Sequence, residues 1–478
     1  MRGRPALKGD ELPAIVVAPP GPKSRAAVKR LRRAEGAAIW GSGDSPPIVW
    51  SRARGAVVLD LDGNRYVDFT SGFGVASLGH SAPEVKRAVS AQAGRLAQGL
   101  GDLMPHAARE KLVRRLSKLG GRLDSVLLAS TGAEAVELAL KTAAIATGRR
   151  RVVAFRGAYH GDSYGALEVT DHPKPPRPLM AQLQGRAIHV PFPYPYRCAS
   201  ASGHDAAGCE ERCLEEAFAS IDAALKGEDP PGAVIVEPIQ GRAGAIVPPP
   251  GFLSRLCRLA RERRLLVIYD EILTGAGRTG PFWAWERSGP DAEPDLLCAG
   301  KGLGGGVAVA ALLGKRKVME AWHAHAPSSG EAPHASTFYA HPLACAGTLA
   351  AIERLTSPEF REHADSMGKA LAEGLERIAD RHHRVGEARS AGLLGAIELV
   401  RDRESKEPAP EILARLISEL LARGILALPS GLHENVLMLL PPLTIEAAQL
   451  RHGLEAIDAA LAGMGSVRPE GAPAGTKR

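Results

Sequence analysis

Short apolar runs of strand length alternate with longer stretches of helical period through the middle of the chain. The clearest pair is "SVLLAST" (125–131) followed by "GAEAVELALKTAAIAT", which is rich in strong helix formers and has no internal glycine or proline. "RVVAF" (151–155), "AVIVEPI" (233–239), "LLVIYDE" (265–271) and "DLLCAG" (295–300) read as further buried strands. Such alternation predicts an α/β domain. From about 346 the pattern changes to long helices with two strand-like runs, "LLGAIELV" and "NVLML", which predicts a separate C-terminal domain. Residues 1 to about 20 and about 466 to 478 are rich in Pro, Gly and charge and read as loose ends.

Composition narrows the function classes. The 478 residues are 45% hydrophobic and 24% charged, as in an ordinary globular protein with room for two or three domains. The formal net charge is +7, and residues 1–33 account for all of it, with nine Lys or Arg against Asp10 and Glu11. A neutral remainder argues against a nucleic-acid-binding body and leaves a solvated basic arm. "AIVVA" is too short for a secretory signal and is stopped by Pro19 and Pro20, and "VAVAALL" (307–313) is far too short for a membrane helix. Six cysteines in this length do not make a disulfide framework, so a reducing cytoplasm is the expected location. Cys198, Cys209 and Cys213, with His204 between them, raise a zinc or iron–sulfur site, but the paired C-x-x-C spacing is missing and no metal is expected.

The chemistry lies where the strands end, since open α/β sheets bind ligands there. Thr131, Gly132 and Ala133 open a helix with small residues, leaving backbone N–H groups and a positive dipole end for a phosphate. Tyr159 and His160 follow a strand and offer a flat aromatic face. Asp270 ends an apolar strand, where a bare carboxylate is costly without a cation or donor. Lys301 stands alone among glycines in "CAGKGLGGG". This stretch and "GAGRTG" (275–280) both fit G-x-G-x-x-G, a weak match in a glycine-rich chain, and neither closes a nucleotide-binding unit. Phosphate cup, aromatic platform, buried carboxylate and isolated lysine are together the parts needed to hold pyridoxal phosphate.

The chain resembles the class III (subgroup II) aminotransferases, the group that includes ornithine, acetylornithine and 4-aminobutyrate aminotransferases. The resemblance rests on "YVDFTSGFGVASLGH", "STGAEAVELALK", "FRGAYHGDSYGAL", "VEPIQGRAG", "LLVIYDEILTGAGRTG", "DLLCAGKGLGGG", "HASTFYAHPLACA" and "PPLTI", in family order over about 400 residues. It implies a fold-type I architecture: a large domain (76–345) around a mostly parallel seven-stranded sheet, and a smaller α+β domain built from both chain ends (1–75 and 346–478). It also implies that Lys301 forms the Schiff base with the cofactor, Asp270 pairs with its pyridine nitrogen and Tyr159 stacks on its ring. Gly132 and Ala133 would hold the phosphate together with Thr337 of the partner subunit, in a homodimer, and Phe73 would gate the pocket. The expected reaction moves an amino group from an amine, diamine or ω-amino acid to an oxo acid by a ping-pong route. A racemase or aminomutase on the same fold is the alternative, and a non-catalytic scaffold is a third reading.

Two departures bear on the substrate. Relatives that use 2-oxoglutarate carry an arginine three residues before the Pro-Pro of the last motif, where this chain has Met438. Many have glutamine two residues after the Asp-Glu pair, where it has Leu273. Glu237, which the resemblance places opposite the missing arginine, then needs another cation unless it is exposed or protonated. Arg242, at a position where relatives often have glutamate, is the nearest and is expected to pair with it; alternatively Glu237 awaits the ammonium of a diamine or ω-amino substrate.

Overall fold

Seven apolar runs assemble one sheet. They are β4 (Ser125–Ala129), β5 (Val152–Phe155), β6 (Ala187–Val190), β7 (Ala233–Val236), β8 (Leu266–Asp270), β9 (Leu296–Ala299) and β10 (Ala310–Gly314), after three N-terminal strands, β1 (Trp50–Arg54), β2 (Val57–Asp60) and β3 (Arg65–Asp68). The computed structural model describes residues 7–40, 47–172, 177–198, 206–325, 327–328 and 331–464. The order across the large sheet is β4-β10-β9-β8-β7-β5-β6. Neighbours from β9 to β6 are parallel, and β10 runs antiparallel to both β9 and β4. β5, β7, β9 and β10 are buried along their whole length, so continuous apolar runs replace period-two alternation, as expected of a sheet covered on both faces. β10 takes up the second half of the apolar run 307–313 and lies between β4 and β9 in the sheet. "AVIVEPI" stops pairing at Val236, because Pro238 has no N–H to give to a ladder.

The helix Gly132–Thr147 packs one face on this sheet through Ala135, Val136, Leu138, Ala139 and Ala143. Its start is fixed by Thr131, whose Oγ1 accepts from Glu134 N at 3.2 Å, and its end by Gly148 in the left-handed region at φ 69°.

The two chain ends meet in a smaller unit. β3 pairs in parallel with β13 (Ile425–Leu426), joining the N-terminal hairpin to the C-terminal region. β11 (Val385–Ala391), β12 (Leu394–Leu399), β14 (Leu428–Ser430) and β15 (Val436–Leu439) form an antiparallel sheet in the order β11-β12-β15-β14. The helix Pro358–Arg381 covers it, with Leu371, Leu375 and Ile378 in one core with Ile397 and Leu399. Each such side chain, fully buried, contributes about 1.5–3 kcal/mol.

The N-terminal expectation needs correction. Residues 7–20 are not a loose end: Ala14 and Arg65 exchange backbone hydrogen bonds of 2.9 Å, and Gln449 Nε2 donates to Glu11 O at 3.0 Å. Docking of backbone polar groups on a sheet edge is what a reading of composition alone cannot register. Residues 1–6 and 465–478 lie outside the described chain.

Candidate active site

The parallel strands deliver their C-terminal residues to one edge of the sheet. β8 ends in Asp270, which is buried, and its neighbour β9 leads through Gly300 to Lys301. Lys301 lies in a short 3₁₀ turn at φ 41°, a conformation unusual for a residue with a side chain. The turn is held from outside: Ser77 Oγ donates to Gly302 O at 2.8 Å, and Leu303 N donates back to Gly300 O at 2.9 Å. Backbone held in a sparsely populated region this way is a mark of functional sites. Lys301 is partly buried. Burial holds its amine below the usual lysine range; the charges of Asp270 and Glu237 oppose this, and that of Arg242 adds to it.

Asp270 is fixed at both oxygens. Oδ1 accepts from Ile272 N at 3.0 Å, and Oδ2 lies 2.7 Å from His160 Nδ1. His160 is buried, its backbone N donates to Thr170 Oγ1 at 2.9 Å, and its Nε2 is buried without a hydrogen-bond partner among the described residues. A carboxylate only accepts, so Nδ1 carries the proton and the pair is oriented by the fold. Sequence reading placed His160 at the strand end and missed this contact, which spans 110 residues and leaves no local signal.

Tyr159 is partly buried beside it, its hydroxyl donating to Asp162 at 3.0 Å, and burial together with Asp162 pushes that hydroxyl up to about 12. Gly132 and Ala133 form the first turn of a 16-residue helix whose leading N–H groups have no partner within the helix. A Cβ on Gly132 would sit 2.9 Å from Ile272 Cδ1, so a larger residue there would push the isoleucine aside. A low-pKa amine, a braced carboxylate, an aromatic ring and a helix N-terminus fit pyridoxal phosphate: aldehyde, ring nitrogen, ring face and phosphate each have a chemically matched group.

Glu237 corrects the expected ion pair. Its Oε1 accepts from Tyr159 N at 3.1 Å and its Oε2 from Gly241 N at 2.8 Å, while the Arg242 guanidinium lies over the Tyr159 ring, 5.0 Å from the centroid. Backbone donors therefore take the place of the cation. Burial raises the Glu237 carboxyl to about 7, reinforced by Asp270 and opposed by His160 and the two N–H groups. Between its ordinary value of 4.5 and about 7, the native state keeps a proton that the unfolded chain has released, so stability falls as pH rises through that window. Glu237→Gln in the cofactor-free protein loses one of the two acceptors at every pH, but its stability relative to wild type should rise by up to roughly 3 kcal/mol between about pH 5 and about pH 8. Thermal melts at the two pH values check this; a pH-independent difference would contradict it.

The two departures meet in one place. Met438 on β15 is buried in an apolar cluster with Ile239, Ala245, Leu394, Ala396 and Leu440, and Leu273 packs against the same cluster. A Cβ on Gly241 would lie 2.2 Å from Leu273 Cδ2, so the leucine rests on this glycine. Phe73 is exposed, in a loop with positive φ from Ser71 to Gly74 that touches Leu273. Thr337 is also exposed, its carbonyl accepting from Gln98 Nε2 at 2.8 Å. Neither is brought onto Lys301 by its own chain's described contacts.

A buried network braces the turn after β7. Arg389 donates to Gly244 O through Nε at 2.9 Å and Nη2 at 2.7 Å, and to Glu398 at 3.0 Å; Arg197 and Tyr194 also bond to Glu398. Cys213 and Cys198 share a hydrogen bond, and burial and that neighbour push the Cys213 thiol up to about 12. His204 lies outside the described residues, among which no group of three or more His, Cys, Asp or Glu is placed to hold a metal ion.

Residues 40–461 match the sequence profile of the family described as aminotransferase class-III. The chain is 33% identical over 431 residues to a 5-aminovalerate aminotransferase of Pseudomonas aeruginosa, covering 89% of this chain and 96% of that one. It is likewise 33% identical over 422 residues to a 4-aminobutyrate aminotransferase of Escherichia coli, covering 87% and 94%. A solved amine transaminase from an uncultivated Pseudomonas species, in its PLP-bound form, is 29% identical with a TM-score of 0.81, over 90% of this chain and 98% of that one. An (S)-enantioselective omega-transaminase from Thermomicrobium roseum is 28% identical with a TM-score of 0.80, over 92% and 98%.

Proposed function

Because the chain belongs to the class-III aminotransferase family and is therefore a pyridoxal-phosphate-dependent transaminase, we propose that its donor is an ω-amino acid of the 4-aminobutyrate or 5-aminovalerate kind, or a related amine or diamine. An oxo acid takes up the amino group in a second half-reaction. The observation that carries the reading is Lys301, held in a strained turn one strand away from the braced Asp270–His160 pair.

Pyridoxal phosphate, when bound, supplies an electron sink that makes the substrate's C–H bond acidic. The chain's residues do the rest. The Lys301 amine, whose charged form burial disfavours, is the nucleophile that attaches the cofactor and then the base that moves the proton at the substrate carbon. Asp270 would face the ring nitrogen and favour its protonated form, with His160 fixing the carboxylate. Tyr159 would lie along the ring, and Thr131, Gly132 and Ala133 would receive the phosphate. Glu237 and Leu273 border the cofactor, and Phe73 and Met438 border the substrate space.

We place the enzyme in the cytoplasm as a homodimer in which Thr337 of the partner subunit completes the phosphate site. The exposed positions of Phe73 and Thr337 support the dimer, and six free thiols support the compartment. Among the described residues no helix is long and apolar enough to cross a membrane. The test is a half-reaction screen on the cofactor-loaded enzyme without oxo acid. 5-Aminovalerate or 4-aminobutyrate should bleach the cofactor's colour, and an added oxo acid should restore it. Colour that persists while a chiral amino acid loses its optical rotation would mean a racemase instead.

A further inference from the structure

Arg242 is an exposed guanidinium on a fixed backbone, next to the catalytic lysine's neighbours and without a carboxylate partner among the described residues. Its carbonyl accepts from Ser430 Oγ at 2.8 Å and Gly431 N at 3.2 Å, and two residues on, Gly244 O is held by Arg389. Gln240 and Ile246 close the turn with backbone bonds of 3.0 and 2.9 Å. The turn is thus clamped on both sides while the Arg242 side chain projects from it. The guanidinium carbon lies over the Tyr159 ring, 5.0 Å from its centroid, and a guanidinium has five N–H donors in a fork that matches a carboxylate. Leu273, partly exposed and packed on the buried Met438 cluster, adds an apolar side chain that suits a methylene chain and cannot bind a charged end.

We propose that Arg242 receives the substrate's carboxylate and so sets the preference of this enzyme for amino and oxo acids over plain amines. The cation that holds the acid thereby comes from the turn after β7 rather than from β15. The proposal rests on the aminotransferase reading above and names the residue that selects the substrate class within it.

The probes are 5-aminovalerate and 1-aminopentane, which have the same chain length and differ only in the carboxylate. Each is followed in single-turnover half-reactions of the cofactor-loaded enzyme. Wild type should favour 5-aminovalerate. Arg242→Met should lower the ratio of kcat/KM for the acid to that for the amine by roughly 30-fold or more, mostly through KM, because a charge-assisted fork is lost. Arg242→Lys should keep part of the preference, since charge remains without the fork. Arg242→Glu should turn it towards 1,5-diaminopentane. A ratio unchanged within about 2-fold in Arg242→Met, or a wild type indifferent to the carboxylate, overturns the assignment. Failure of wild type to convert any amine would instead overturn the aminotransferase reading itself, so the two failures are distinct.

Discussion

Lys301→Ala is expected to lower turnover with any amino donor by roughly 10⁴-fold or more, because one substitution removes both the nucleophile and the base. The size follows from the site's economy of parts. At the end of β9 the residues around Lys301 are glycines and a leucine, none of which can carry a proton. The free cofactor should also be lost on dialysis, since the covalent attachment goes with the amine. Alanine removes a partly buried chain from a turn held by Ser77 and Gly300, so the fold should survive, and a melt within a few degrees of wild type would show that it does. A variant that kept more than about a tenth of wild-type turnover would remove Lys301 from the proton path.

Asp270→Asn is expected to lower kcat by roughly 10²–10³-fold at nearly unchanged stability, through loss of the charge that faces the cofactor's ring nitrogen. The amide keeps the shape: its oxygen can still accept from Ile272 N, and its NH₂ can donate to His160 Nδ1 once the ring proton moves to Nε2. Asp270→Ala differs because it also leaves His160 Nδ1 buried and unpaired next to an Nε2 that already lacks a partner, which should cost a further 1–3 kcal/mol or about that. Comparing the two by kcat and by thermal melt separates the electrostatic role from the structural one. Equal loss of stability in both, with turnover following stability, would reduce Asp270 to a structural residue.

The same comparison shows which parts of the site could be read from the sequence. Lys301 and Asp270 stand out because each is a charged group directly after an apolar strand, where burial is costly unless chemistry needs it. Thr131 and Gly132 are legible because helix capping is local. The Arg242–Glu237 pairing was misjudged for the opposite reason. Five positions apart in sequence, the two diverge because Gly241 turns the backbone so that its own N–H, with that of Tyr159, fills the glutamate's oxygens. The guanidinium is then free to lie on Tyr159, 83 positions earlier in the chain.

The sequence by itself determined the α/β alternation, the capped helix Gly132–Thr147, the strand ends that carry the reactive groups and the family to which the chain belongs. All of these depend on periodicity, local backbone chemistry or ordered motifs, which survive in one dimension. Only the tertiary structure decided that β10 runs antiparallel between β4 and β9, that residues 7–20 dock on β3, that His160 braces Asp270 and that Met438 and Leu273 share one apolar wall. Each of these is a contact between segments far apart in the chain. Their free energy comes from burial and from hydrogen bonds that exist only once the layers have packed, so no local pattern encodes them.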